Sequence, residues 1–230
     1  MTPKAEIHPI DAVLLDMDGT ILNSIRTAER IWGNWAAGHG LDVEAFLKTI
    51  HGVQSIETIR RLALPGVDPA LEAARITQAE IDDVDGIEAI AGCAAFLSTL
   101  PGAKWAVVTS APRALAQRRI AAAELPHPPI LIAAEDVEHG KPAPDCFHLA
   151  ARKLGTTAER CLVLEDSPAG VLAAERAGAL VLLITATHTH TIDTPHAAVH
   201  DYHGLTMETA DDGEVWIRPA QCPLSYRLRA

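Results

Sequence analysis

What this chain of 230 residues lacks narrows what it can be. No apolar run reaches the roughly 20 residues that a bilayer-crossing helix needs, so a membrane-spanning role is not expected. The opening Met1-Thr2-Pro3-Lys4-Ala5-Glu6-Ile7-His8 has no apolar stretch of the kind a secretion signal carries. The four cysteines, Cys93, Cys146, Cys161 and Cys222, are scattered without a C-x-x-C pair, indicating neither a zinc site nor a disulfide framework. They read as reduced thiols of a cytoplasmic protein. Basic residues are in deficit: 19 Lys and Arg face 30 Asp and Glu, and the formal net charge of -11 argues against non-specific nucleic-acid binding. A small phosphate ester stays open as a ligand, because it needs only a local cationic pocket. No internal repeat or low-complexity linker is present, and the length suffices for one large domain or for one domain carrying a smaller insertion.

The most informative segment is Ala12-Val13-Leu14-Leu15-Asp16-Met17-Asp18-Gly19-Thr20, an apolar run that ends in two carboxylates one residue apart and then a glycine. Side chains alternate along a strand, so Asp16 and Asp18 would point the same way, and Gly19-Thr20 lets the chain turn off at once. Two close carboxylates repel unless a bound cation, a shared proton or solvent lies between them.

Short apolar runs alternate with alanine-rich helical stretches, the pattern of an α/β protein with a doubly wound parallel sheet. The expected strands are Val13 to Leu15, Trp105 to Val108, Ile130 to Ile132, Leu162 to Leu164 and Leu180 to Ile184; helices are expected over Pro112 to Ala123, Asp145 to Leu154 and Pro168 to Ala177, the last closed by Gly178. Roughly 80 residues separate the first two strands, far more than a simple crossover needs. That gap reads as helix throughout. Ser24 caps a helix to about Ala37, Asp42 caps another, and Ser55 to Leu62 and Pro69 to Val84 supply two more. The organisation expected is a Rossmann-like core of residues 1–22 and 89–230 with an inserted helical cap, residues 23–88, overhanging the acidic turn. The tail beyond about His203 is weakly patterned, with one terminal strand expected near Val215 to Ile217.

In such sheets ligands sit outside the carboxyl ends of the strands. Residues just past the apolar runs are Asp16 and Asp18, then Thr109 and Ser110, then Glu165 and Asp166, while Lys141 lies in the loop Gly140-Lys141-Pro142-Ala143-Pro144-Asp145. Together they offer carboxylates for a hard cation, donors for an anion, and one ammonium, the parts needed for phosphoryl transfer.

The segments Asp16-Met17-Asp18-Gly19-Thr20, Val107-Val108-Thr109-Ser110, Gly140-Lys141-Pro142 and Leu164-Glu165-Asp166-Ser167-Pro168-Ala169-Gly170 resemble the four ordered motifs of the haloacid dehalogenase-like hydrolase superfamily, over roughly residues 10 to 188. The inserted helices resemble the cap of its β-phosphoglucomutase-like branch. His51-Gly52 followed by Glu57-Thr58-Ile59-Arg60, with Asp85-Gly86-Ile87 ahead of the second motif, is similar to its small sugar-phosphate and glycerol-phosphate phosphatases. The resemblance implies Asp16 as nucleophile and Asp18 as general acid and then base. It implies Mg2+ held by the Asp16 carboxylate, the Asp18 carbonyl and Asp166, and a phosphate held by Thr109 and by backbone N–H groups near Met17 and Ser110. Lys141 neutralises the nucleophile. Glu165 stays open between orienting metal waters and orienting Lys141, rather than acting as a direct ligand. Asp18 argues against dehalogenation, since a departing halide needs no proton.

Lesser features carry open alternatives. His51, Gln54 and Arg60 are candidate substrate contacts from the cap, set against a solvated helix face for Arg60 and Arg61. Arg113 either pairs at a helix start or touches ligand, and Trp32 and Trp35 either pack the cap or wall the site entrance. Asn23 stands where relatives often have aspartate, which bears on cap hinge motion. His188, His190, His196, His200 and His203 resemble a metal tract by composition, but lack an i, i+4 pair backed by an acid. The expected activity is a Mg2+-dependent phosphatase for a small phosphorylated sugar or polyol, as a monomer or small homo-oligomer. The rivals are a phosphosugar mutase and a non-catalytic phospho-ligand binding protein.

Overall fold

A six-stranded parallel sheet organises the chain in a computed structural model that describes residues 6–50, 53–102, 104–188, 194–210, 213–220 and 224–228. Strand β1 (Glu6–Ile10) leads into β2 (Ala12–Leu15), all four of whose side chains are buried. After the two-residue β3 (Leu22–Asn23) come four helices, α1 (Ile25–Gly38), α2 (Val43–Leu47), α3 (Ser55–Leu62) and α4 (Pro69–Asp82). The chain returns through β4 (Glu88–Ala89), which pairs antiparallel with β3, so exit and re-entry share one small frame. Then follow α5 (Cys93–Thr99), β5 (Trp105–Val108), α6 (Arg113–Ala122), β6 (Leu131–Ile132), α7 (Asp145–Lys153), β7 (Cys161–Glu165), α8 (Pro168–Arg176), β8 (Leu180–Ile184) and β9 (Ala197–Val199). The sheet order β6-β5-β2-β7-β8-β9 places the D-x-D strand in the middle.

Strands covered on both faces read as continuous apolar runs, and the pleat sends alternate side chains to two cores. Val13, Leu15, Val107, Leu162 and Leu164 join one core with Phe96 and Leu115. Leu14, Ala106, Val108 and Val163 join the other, against Phe147, Ala150 and Ala174 of α7 and α8. The inserted helices pack on a third core of their own around Trp32, Phe46, Ile59 and Ile76.

Local signals explain most helix ends. Asp42 accepts from the Ala45 amide, and Asp68 accepts from those of Ala70 and Leu71 ahead of Pro69. Gly178 follows α8 at φ 75°. Ser24 departs from expectation: it precedes α1 but makes no side-chain cap, because its hydroxyl donates instead to Asp18 Oδ1 at 2.5 Å, and a carboxylate is the stronger acceptor. Cys93, Cys146 and Cys161 are free and buried, as a reduced-thiol reading requires; Cys222 lies outside the described residues. No helix among the described residues is long and apolar enough to cross a membrane.

The tail holds more than the one strand expected. β10 (Leu205–Thr209), β11 (Val215–Pro219) and β12 (Leu224–Leu228) form an antiparallel meander, and β1 adds in parallel to β12, giving a second sheet in the order β1-β12-β11-β10. Val215, Ile217, Tyr226 and Leu228 enter the same core as Val13 and Leu15. Ile217 is fully buried. Ile217→Ala is therefore expected to lower the unfolding free energy by about 2–5 kcal/mol, read from denaturant melts, as a central core residue would; a loss below about 1 kcal/mol would show the second sheet to be a loosely attached appendage.

Candidate active site

Parallel register sets three strand ends level. Leu15 pairs with Val107 on one side and Leu164 on the other, so Asp16, Thr109 and Glu165 emerge together. Backbone bonds continue past the strands: the Asp16 amide donates to Leu164 O at 3.0 Å and the Thr109 amide to Ile132 O at 2.9 Å. Into this edge the Gly140–Pro142 loop sends Lys141. Its ammonium donates to Asp16 Oδ1 at 2.5 Å, to Glu165 Oε1 at 2.7 Å and to Val108 O at 3.1 Å, which uses all three of its N–H groups.

All three charged groups are buried. Burial pushes the Asp16 carboxyl up to about 7, with Lys141 opposing and Glu165 and Asp18 reinforcing the rise. Burial disfavours the Lys141 ammonium, but Asp16 and Glu165 outweigh it and hold the lysine above its ordinary range. Asp166 is raised well above a usual carboxyl by burial and then by the Glu165 and Asp16 charges. One ammonium thus faces more acid than it can balance.

Glu165 is fully committed. Its Oε2 accepts from the Asp166 amide at 2.8 Å, the Ser167 amide at 2.9 Å and Ser167 Oγ at 3.1 Å, while Oε1 takes Lys141. Glu165 thus ties Lys141 to the turn into α8. Two glycines make room for Glu165 and Asp166. A Cβ on Gly170 would lie 1.6 Å from Glu165 Oε1, and one on Gly19, at φ 88°, would lie 1.9 Å from Asp166 Oδ2. Oxygens of Asp16, Glu165 and Asp166 come within 4.8 Å of one another, and with Glu165 taken by Lys141 and the turn, Asp16 and Asp166 are the hard-oxygen carboxylates that fit a divalent cation. His188 Nε2 lies 4.0 Å from Asp166 Oδ2, whereas His196 pairs with Glu175 and His190 lies outside the described residues.

Asp18 stands beside this group, its Oδ1 accepting from Ser24 Oγ and from Arg119 of α6 at 2.9 Å. The same guanidinium donates to Glu80 Oε1 of α4 at 2.9 Å, so one arginine bridges the sheet layer and the inserted helices. Sequence reasoning missed both Arg119 and Glu80. The signal was present: Arg119 follows Leu115 by four and Glu80 follows Ile76 by four, so each charge falls on a buried helix stripe and needs a partner there. Burial raises Glu80 above its usual range, with Arg119 opposing.

A cavity of ≈ 80 Å³ opens over Asp16 and Asp18, walled by Thr109, Ser110 and Arg119 from the sheet side and by Trp32 and Glu80 from the helices. Thr109 Oγ1 accepts from the Ala111 amide at 3.0 Å, and the Met17 side chain is fully buried in the core. Trp32 both packs and walls, while Trp35 donates to Glu72. Gln54 lies in an adjoining cavity with Ser55 and Ser110 and not against Asp16. His51 lies outside the described residues. Arg113 pairs with Asp136 at a helix start, and Arg60 and Arg61 are exposed, Arg61 facing Glu57 at 3.6 Å.

The family model for haloacid dehalogenase-like hydrolases matches residues 10–178. Hexitol phosphatase A of Escherichia coli (strain K12) is 38% identical over 210 residues, spanning 89% of this chain and 97% of that protein. Glycerol-1-phosphate phosphohydrolase 1 of Saccharomyces cerevisiae is 30% identical over 201 residues, spanning 81% and 79%. The crystal structure of a hydrolase from Pseudomonas syringae superposes with a TM-score of 0.71 at 25% identity, covering 83% of this chain and 93% of that one. The chain belongs to the haloacid dehalogenase-like hydrolases. Its named relatives are phosphatases, and it is an enzyme of that kind.

The Glu165 cradle generates a direct test. Gly170→Ala forces Glu165 off Lys141, and the expected cost is about 2–3 kcal/mol in unfolding free energy, together with loss of activity. Unchanged melting and unchanged turnover would mean that the Glu165–Lys141 contact is dispensable.

Proposed function

We propose that this phosphatase hydrolyses the phosphate monoester of a small sugar or polyol through an aspartyl-phosphate on Asp16, with Mg2+ as its metal. The observation that carries the reading is the Lys141 ammonium bonded to Asp16 beneath a cavity that Asp18 also enters.

Asp16 attacks phosphorus, the bond from phosphorus to the alcohol oxygen breaks, and Asp18 gives that oxygen its proton. Asp18 then takes a proton from water as the water attacks the aspartyl-phosphate, releasing orthophosphate and restoring Asp16. The hydroxyl of Thr109 accepts from Ala111, which leaves its own hydrogen to donate to a phosphoryl oxygen alongside the amides near Met17 and Ser110. Lys141 opposes the burial that favours the neutral Asp16 carboxyl and balances charge on the phosphoryl group, with Glu165 holding the lysine in place. Mg2+ would be held by Asp16, the Asp18 carbonyl and Asp166, and when bound it offsets phosphoryl charge and fixes alignment. Residues 23–88 act as a cap that excludes bulk water when closed. The names of the relatives, which describe hexitol and glycerol phosphate chemistry, support this substrate class.

Orthophosphate release from a panel of C2 to C6 phosphate esters is expected only with Mg2+, and Asp16→Asn is expected to lower it by roughly a thousandfold or more. A phosphate isomer formed without orthophosphate would identify a mutase instead. Ligand-induced stabilisation with no turnover of any ester would identify a binding protein.

A pH dependence follows from Asp16. Its folded pKa of about 7 lies above the ordinary value near 3.8, so the folded metal-free protein holds this proton more tightly than the unfolded chain does. Stability without metal is expected to fall as pH rises through that window, and the gain in melting temperature on adding Mg2+ is expected to be larger at pH 8 than at pH 5. An equal gain at both values would refute the link between Asp16 ionisation and metal binding.

A further inference from the structure

A buried arginine is a costly way to join two layers. Arg119 of α6 and Glu80 of α4 keep only 6% and 4% of their side chains exposed, and Arg119 Nε finds no hydrogen-bond partner among the described residues. A buried ion pair returns little stability over a well-packed apolar pair, and an unsatisfied buried N–H subtracts from it. Stability alone does not account for this arginine; what its guanidinium touches does. Nη1 donates to Asp18 Oδ1 at 2.9 Å and Nη2 to Glu80 Oε1 at 2.9 Å, so the planar fork spans both acids. The Ser24 hydroxyl donates to the same Asp18 oxygen. Two donors on Oδ1 stop the carboxyl from turning about its last bond and leave Oδ2 to exchange a proton. Helix α4 lies against α6, and Glu80 fixes the far end of the fork from the inserted helices.

We infer that Arg119 is a positioning residue for the acid–base group Asp18, and that Glu80 acts through Arg119 to set that carboxyl from the inserted helices. This deepens the phosphatase reading and rests on the part it gives to Asp18. Held in this way, Oδ2 passes its proton to the alcohol oxygen as the bond from that oxygen to phosphorus breaks. The same Oδ2 takes a proton back from the water that attacks the aspartyl-phosphate. Arg119 and Glu80 exchange no proton themselves. Their loss leaves the Asp18 carboxyl present but free to turn, so the reaction suffers where a proton must be delivered and not where phosphorus is attacked.

A change of leaving group tests this. A sugar or polyol alkoxide needs a proton as it departs, whereas the acetate of acetyl phosphate leaves as a stable anion without one. The quantity to compare is kcat/KM, which covers the steps up to departure of the leaving group. In Arg119→Met, kcat/KM for the alkyl ester turned over fastest is expected to fall about tenfold or more, and that for acetyl phosphate by less than about threefold. Glu80→Leu is expected to move the ratio the same way by a smaller factor, and Glu80→Gln, which keeps an oxygen to accept from Nη2, to restore most of it. Arg119→Lys keeps the charge on a single nitrogen that cannot span both acids, and is expected to lower the ratio too, with melting curves showing which variants are folded. An equal fall for both substrates would reduce the bridge to a structural brace and overturn the inference, as would a ratio unmoved in every folded variant. The wild-type enzyme decides the phosphatase reading separately: no orthophosphate from any ester would sink that reading, whereas turnover of both substrates with an unmoved ratio would sink only the positioning role.

Discussion

The ammonium of Lys141, set between Asp16 and Glu165, is the contact on which the rest of the site depends. Without it, three acids at one sheet edge would repel in a setting where burial already works against their charged forms. With it, Asp16 is held at the end of β2 and Glu165 is anchored to the first turn of α8. The two close glycine approaches, at Gly19 and Gly170, let these oxygens come together at all. A helix, a turn and two strands are thereby fixed by one side chain that arrives from a separate loop.

A second ionic contact joins the two layers. Arg119 reaches from α6 to Asp18 and to Glu80 of α4, so the acid beside the nucleophile and the inserted helices share a single guanidinium. Ser24, at the point where the chain leaves the sheet layer, bonds the same Asp18 oxygen. The inserted helices have their own apolar core, while Ile81 and Val84 at their end also pack on the core of the sheet layer.

The strands and their acidic ends were legible because strands buried on both faces leave an unbroken apolar signature, as Leu162-Val163-Leu164 before Glu165 does. The second sheet was not. β10 and β11 bury at most one face and alternate polar residues with apolar ones, and Trp216 lies against Arg218 and Arg227 with its ring 5.0 Å and 5.8 Å from the two guanidinium carbons. Such mixed strands resemble irregular chain when read alone. Ser24 reads as a cap because serine before a helix usually is one, and only the position of Asp18 in three dimensions redirects it. Arg119 and Glu80 look like ordinary surface charges until the helices are placed, although their spacing from Leu115 and Ile76 marks them as inward-facing.

The pairing of β1 with β12 runs from Glu6 with Leu224 to Ile10 with Leu228, joining strands far apart in the sequence. In the sheet that carries the site, β2 is flanked by β5 and β7, both made much later. During synthesis, β1 therefore waits until Leu228 is made before its neighbour β12 is complete. Contacts of such long sequence separation form slowly and leave apolar edges open in the meantime. The inserted helices, whose core is their own, are under no such delay, so they can take shape on the nascent chain well before the sheet beside them closes.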